Sequence, residues 1–316
     1  MTEERQNPDP GRELVADLAK ASHGKVLTRT AVVVVTYTAA VVLALRPGIG
    51  WSPVFFSVFL AFVLTGCLNA AHDCVHRGHL RSKRANRIAG AVWGTPILLN
   101  FSIYRLQHLV HHRFTGVEGD PEAPQHFDDV RSYLRSLSGL PFWPALAKSI
   151  SRNVRGDFPE IVNNDERRRD ARIDSWVIAG WLAAIIMLTA FFPFPLLVAY
   201  WLPLFLVMPA AMILSMPEHY GLWGTPDVMR NTRTIRSNVI VRFFNWNGNY
   251  HAEHHLFPAV ASVNLHRLHV AMPKPHPVQE KSYLRFHYGL LRALLKGDTD
   301  YGRVPEPAAD APVREG

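Results

Sequence analysis

Four long apolar runs constrain this chain more than any other feature: Thr30 to Leu45, Trp51 to Ala71, Ile173 to Pro193 and Phe194 to Pro217. A helix needs roughly 20 mostly apolar residues to cross the hydrocarbon of a bilayer, with about 17 as a practical minimum. The second and fourth runs exceed that length. The first is short, and the third carries one charge, Asp174, near its start. Four helices buried in a soluble core are the alternative, but near-uniform apolar faces argue for lipid contact instead. The expectation is an all-α integral membrane protein with four transmembrane helices. A fifth stretch, Ile88 to Tyr104, has no charge but contains Gly90, Gly94, Pro96 and Asn100. It reads as a helix broken in the middle, a re-entrant or interfacial element and not a full crossing.

Charge placement sets the expected orientation, because cytoplasmic flanks collect Lys and Arg. The link RPGIG between the first two runs has one Arg, and FPFP between the last two has none. The N-terminal segment carries Arg5, Arg12, Lys20, Lys25 and Arg29, and the segment from Arg77 to Arg172 and the C-terminal region are rich in Arg. Both termini and both long polar segments are therefore expected in the cytoplasm, on an inner-membrane protein. The net charge of +8 follows from this rule and from anionic headgroups, so no nucleic-acid partner is needed. Residues 1–26 read as a polar tail without signal-peptide order, residues 27–296 as one membrane domain, and residues 297–316 as a disordered tail rich in Pro, Ala and charge. Cys67 and Cys74 are the only cysteines, placed where a structural disulfide is not expected.

The sixteen histidines are clustered. HDCVH (His72, His76) follows the second run, HLVHH (His108, His111, His112) follows the broken element, and HAEHH (His251, His254, His255) follows the fourth run and a polar stretch. Residues three or four apart share a helix face, with Cβ atoms about 5 to 6 Å apart, so each cluster can aim two or three nitrogens at one centre. Eight imidazoles exceed the four ligands of a tetrahedral zinc site; two metal ions with four or five nitrogens each would use them. Imidazole suits iron, copper, nickel and zinc alike. A zinc protease is excluded by order, since neither HExxH nor HxxEH occurs.

With the flanking segments AHDCVHRGHL, RLQHLVHHRFTGVEGDPE, PEHYGLWGTPDVMRNTRTIRSN and FNWNGNYHAEHHLFPAVASVNLHRLH, about Ala70 to His269, the chain resembles the membrane fatty acid desaturases and hydroxylases with three histidine boxes. The resemblance implies four membrane helices, a cytoplasmic histidine-rich cap, a di-iron centre held almost wholly by histidines, and use of O2 with two external electrons. It also implies a ninth ligand, His219 of PEHYG, some thirty residues before the last box. Asp73, Asp120, Glu218, Asn249 and Glu253 lie beside these positions and are candidates to hold the other N–H of a ligand imidazole. His79, His126, His266, His269, His276 and His287 match no box and read as cap or surface residues.

Unactivated C–H bonds are beyond acid/base side chains, so a redox metal pair fits an oxidoreductase. Loss of a second, neighbouring hydrogen gives an alkene; insertion of oxygen gives an alcohol. The position of the substrate carbon decides between them, and the boxes do not. An aliphatic acyl or lipid-like chain is the expected substrate, by desaturation. HDCVHRGHLRSKRAN is also similar to carotenoid ketolases and hydroxylases, and a pathway-specific natural-product substrate is a third possibility. No HPGG stretch, CxxC pair or GxGxxG fingerprint is present, so electrons are expected from a separate ferredoxin or similar carrier with its reductase, docking on the Arg-rich face. A metal transport or storage protein is the non-enzyme alternative, against which the clusters sit at the ends of spans and not at the midplane.

Overall fold

The computed structural model describes residues 10–46, 50–122, 126–273 and 277–303. In chain order the helices are α1 (Arg12–Leu18), α2 (His23–Ala44), α3 (Ser52–Val75), α4 (Lys83–Gly94), α5 (Phe101–Phe114), α6 (Val130–Leu137), α7 (Phe142–Val154), α8 (Asp165–Phe191), α9 (Pro193–Leu196), α10 (Leu202–His219), α11 (Val228–Asn231), α12 (Val239–Phe244), α13 (His251–Leu256), α14 (Leu265–Ala271) and α15 (Tyr283–Leu294). A π-helical stretch, Leu197–Trp201, joins α9 and α10 into one rod, Pro193–His219. Two three-residue strands, β1 (Arg233–Ile235) and β2 (Val278–Glu280), pair in parallel with Arg233 opposite Val278. This ribbon is a small departure from the all-α expectation. Every β1 residue is buried, and buried backbone groups need partners.

Helices α2, α3 and α8 and the Pro193–His219 rod are each long and apolar enough to cross a membrane. The helix that holds the first run is longer than the apolar run itself. The polar residues from His23 to Arg29 extend it to 22 residues, about 33 Å at 1.5 Å per residue, against a hydrocarbon core of about 30 Å. Outward-facing Val34, Val35, Ile186, Met187 and Phe191 are exposed, as lipid-facing side chains must be. Helix α3 is innermost: 56% of its apolar window is buried, against 17% for α2.

The membrane rods contain prolines, and the carbonyls these leave without a donor find partners on neighbouring helices. Pro203 offers no N–H to the preceding turn. There the Tyr37 hydroxyl donates to the Ala199 carbonyl at 2.6 Å and the Ser57 hydroxyl to the Val198 carbonyl at 3.1 Å. Without water nearby, such carbonyls would otherwise be costly.

The Ile88–Tyr104 stretch is broken as its glycines and proline suggest. Helix α4 ends at Gly94, Thr95–Ile97 make one 3₁₀ turn, and Leu98 turns left-handed at φ 60°. Helix α5 restarts behind Asn100, whose Oδ1 accepts from the Ile103 N–H at 3.1 Å. The two halves press together so closely that a Cβ on Gly90 would stand 2.3 Å from the Phe101 ring. Asp174, the lone charge of the third run, anchors this corner. It pairs with Arg87 at 2.6 Å and accepts from the Ser102 N–H at 2.8 Å, which fixes the start of α5 against α8.

Part of residues 1–26 is folded: Leu18 of α1 is buried against Leu265 and Leu268, and its carbonyl accepts from Asn264 Nδ2 at 2.9 Å. Residues 1–9, 304–316 and His276 lie outside the described residues. Cys67 and Cys74 are both free and buried.

Candidate metal centre

Four elements end at one place: the C-terminal turn of α3, the second half of α5, the last residue of α10, and α13. His72 and His76 stand one turn apart at the end of α3. His108, His111 and His112 share the inward side of α5, and His219 closes α10. Before α13 the chain reverses through Trp246 and Asn247, both left-handed at φ 50° and 58°. Asn69 Nδ2 holds that turn to α3 by donating to Asn245 Oδ1 at 2.7 Å. His251, His254 and His255 follow at once.

All nine histidines named from the sequence are brought together, in two groups. One is His72, His76, His108, His112 and His254; the other is His111, His219, His251 and His255. Within each group one nitrogen per ring lies within 4.8 Å of all the others. Sequence neighbours part company here. His111 and His112 enter different groups, as do His254 and His255, because successive helical residues point about 100° apart.

The proton positions show what such a set can hold. His219 Nδ1 lies 3.0 Å from the Asn231 carbonyl, which can only accept, so Nδ1 carries the proton and Nε2 presents a lone pair. The Thr115 hydroxyl donates to the His111 carbonyl at 2.6 Å and therefore accepts from His255 Nδ1 at 3.3 Å. That leaves His255 Nε2 as a lone pair as well. Both lone pairs face His251 Nε2, at 3.0 and 3.1 Å, and one nitrogen has at most one proton to give. In the other group His112 Nε2 stands 2.9 Å from His108 Nε2 and 3.1 Å from His254 Nε2, while His72 Nε2 and His76 Nε2 are buried with no hydrogen-bond partner among the described residues. Converging lone pairs and orphaned buried nitrogens are what a pair of metal ions would satisfy, and an all-imidazole set suits transition metals. Burial, reinforced by the neighbouring imidazoles, pushes His76, His108, His112, His251, His254 and His255 well below the ordinary histidine range. Neutral imidazole, the metal-binding form, is favoured.

The five polar residues expected beside the ligands divide. Asp120 accepts from His111 Nδ1 at 2.8 Å and from the Glu122 and Gly116 N–H groups. Burial raises its carboxyl, but the His111 and backbone hydrogen bonds hold it below the usual carboxylate value. Glu218 brings an oxygen within 3.6 Å of His251 Nε2. The other three reach past the cluster. Asp73 holds His79 at 3.0 Å and the Ser262 N–H at 2.8 Å. Glu253 is gripped by Thr234 and by His269 Nδ1. Asn249 donates to the Ile235 carbonyl at 3.0 Å. His79, read from sequence as a cap or surface residue, is buried between Asp73 and Trp93. Three partners of the cluster were not singled out in the sequence: Glu122, 3.1 Å from His108 Nδ1, Thr115, and the Asn231 carbonyl. Glu122 could have been suspected from its place two residues after Asp120 in GDPE. A backbone carbonyl leaves no signal in sequence.

A cavity of about 430 Å³ opens beside the cluster. His72, His108, His219 and His251 line it, together with apolar Leu68, Met212 and Met216, Tyr220, and polar Asn69, Glu122 and Glu218.

A fatty acid desaturase family model matches residues 49–289. This chain belongs to the fatty acid desaturase family. It is 24% identical over 294 residues to an sn-1 oleoyl-lipid 12-desaturase of Picosynechococcus sp., covering 86% of this chain and 82% of that one. Enzymes of the same name from Synechocystis sp. and Anabaena variabilis match shorter stretches. They are 30% identical over 95 residues, 27% of each chain, and 31% identical over 58 residues, 18% of this chain and 17% of that one. This family member is thus a desaturase-type membrane oxidoreductase, and its two histidine groups are compatible with a di-iron site.

Proposed function

We propose that this desaturase removes two hydrogens from an aliphatic chain of a membrane lipid or acyl substrate, using O2 and two electrons from a separate ferredoxin-type carrier and its reductase. The balance is R–CH2–CH2–R′ + O2 + 2e⁻ + 2H⁺ → R–CH=CH–R′ + 2H2O. The observation that carries the reading is the convergence of nine imidazoles in a four-plus-five arrangement, of which His72, His108, His219 and His251 line the cavity. The substrate of the curated relatives, an oleoyl lipid by their names, supports an acyl chain.

His72, His76, His108, His112 and His254 would hold one iron, and His111, His219, His251 and His255 the other. The iron pair would supply the oxidising power, from O2, that an unactivated C–H bond demands. Asp120, Glu122, Thr115 and the Asn231 carbonyl keep their imidazoles in one tautomer and orientation, with Nε2 lone pairs inward. Leu68, Met212 and Met216 exclude water and seat the chain against the lining histidines, and its register there selects the carbons that react.

The reading places residues 27–296 in one membrane domain, with α4 lying at the interface. On this reading the histidine cap and both termini face the cytoplasm at the inner membrane, which the placement of Arg and Lys supports. The deciding measurement is mass spectrometry of lipid extracts from cells expressing wild type or His254→Ala with a ferredoxin and its reductase. Species lighter by two hydrogens with wild type alone are expected. Species heavier by one oxygen would replace desaturation with hydroxylation or ketolation, and no change in any lipid would overturn the substrate class.

A further inference from the structure

Helix α15 has two apolar faces. Phe286, Leu290 and Leu294 are buried on the inner one, in a cluster with Met212, Met216 and Tyr220. The outer face carries Leu284, Tyr288 and Leu295, which are 81%, 67% and 71% exposed, with half-buried Leu291 among them. On a helix of 3.6 residues per turn these four fall within an arc of about 60°. Arg285, Arg292 and Lys296 lie along one flank of that arc.

One hydrogen bond sets the depth of this helix. Pro217 has no N–H, so the Ile213 carbonyl one turn earlier loses its partner within α10. His287 Nε2 donates to that carbonyl at 2.9 Å, and the Tyr133 hydroxyl donates to His287 Nδ1 at 2.9 Å. Ile213 lies in the membrane-crossing rod Pro193–His219, six residues from its end and so about 9 Å inside it at 1.5 Å per residue. The middle of α15 is thereby held beside an apolar stretch of the span and not above it.

We propose that α15 is an interfacial membrane helix, with Leu284, Tyr288 and Leu295 among lipid acyl chains and Arg285, Arg292 and Lys296 against anionic headgroups. Two observations commit the stripe to lipid. Its helix is tied through His287 to Ile213 of the span, where Ile213 and Phe205 are themselves exposed, and its basic flank complements acidic lipid as in other in-plane amphipathic helices. Met212, Met216 and Tyr220, on which α15 rests, also line the cavity, so the helix stands between bilayer and cavity on that side.

The test uses the full chain in vesicles of phosphatidylcholine and phosphatidylglycerol. Nitroxide labels are placed singly at Leu284→Cys, Tyr288→Cys, Leu295→Cys, Arg285→Cys and Arg292→Cys, with unsubstituted protein as the blank because Cys67 and Cys74 are buried. At positions 284, 288 and 295 collisions with O2 should exceed those with a water-soluble nickel chelate several-fold, and at 285 and 292 the order should reverse. Nickel access at all five positions would put the stripe in water and overturn the proposal. So would exclusion of both reagents at 284, 288 and 295, which would mean that a second copy or another protein covers it. A readout without substitutions is a phospholipid carrying a photoactivatable carbene in its acyl chain. It should mark residues 283–295; marking confined to the four spans would count against α15 as decisively.

Discussion

His108, His111, His219 and His255 are each fixed by what their Nδ1 touches, so on the proposed reading substitutions at those partners should read out as metal affinity. Asp120→Ala removes the acceptor of His111 Nδ1. Loss of such a partner typically costs about 10–100-fold in metal affinity. Less metal per chain after a graded chelator challenge is expected, with the helical content unchanged; metal retention equal to wild type would show that the His111–Asp120 bond is dispensable. Acid should act on the same residues. Burial holds His108, His254 and His255 well below the ordinary value, near 6.5 for free imidazole. The metal-free folded protein therefore refuses protons that the unfolded chain accepts below that value. Its stability is complete above about pH 6.5 and is lost as the pH falls. The thermal midpoint of the metal-free protein should drop between about pH 7 and 5; a midpoint that rises on acidification would contradict burial of neutral imidazoles.

At the scale of elements, polar side chains hold the apolar rods in register. Asp174 ties α8 to Arg87 of α4 and to the first turn of α5, and α5 carries three of the nine histidines. Asp174→Ala leaves the Ser102 N–H without its acceptor and Arg87 with Asp170 alone, its carbonyl at 3.1 Å and its carboxylate at 3.7 Å. A buried charge left with no partner costs about 3–5 kcal/mol; with Asp170 still beside Arg87 the loss should be smaller than that. A clearly lower unfolding midpoint in detergent is expected, together with reduced metal content, because α5 loses its anchor; an unchanged midpoint would assign the pair no structural weight. Gly90→Ala tests the corner between α4 and α5. The added Cβ would meet the Phe101 ring at 2.3 Å, and overpacking of this kind costs about 1–3 kcal/mol. Combining it with Phe101→Leu should restore part of the loss, and no recovery in the double variant would place the strain elsewhere.

For the whole molecule, the cavity beside the histidine cluster has a neighbour. A smaller space of about 160 Å³ lies between α5, α7 and α8, and Tyr104 lines both. The Tyr104 ring stacks on His108 at 5.5 Å and so stands between the two spaces at the level of the histidine cluster. Tyr104→Ala should join them and let the chain slide further past the histidines, since register on a scale near 1 Å governs which carbons react. Fragmentation mass spectrometry of the products should find the double bond at a new position or spread over several. An unchanged double-bond position with a normal yield would place the limiting wall elsewhere in the cavity.

Consecutive residues were enough to mark four helices long and apolar enough to cross a membrane, with histidines gathered near their ends. Apolar length and helical spacing are local properties, so they can be read from consecutive residues. The break at Gly94 and Pro96 was legible for the same reason. Only the tertiary structure decided which histidine joins which group, because His112 meets His254 across 142 positions of chain. It also decided the roles of the neighbouring acids. Asp120 and Glu122 turn toward imidazoles of the cluster, whereas Asp73 and Glu253, each beside a box histidine in sequence, turn toward His79 and His269. Adjacent residues on a helix point about 100° apart, so sequence proximity to a ligand does not determine contact with it; the packing of one helix end against another does.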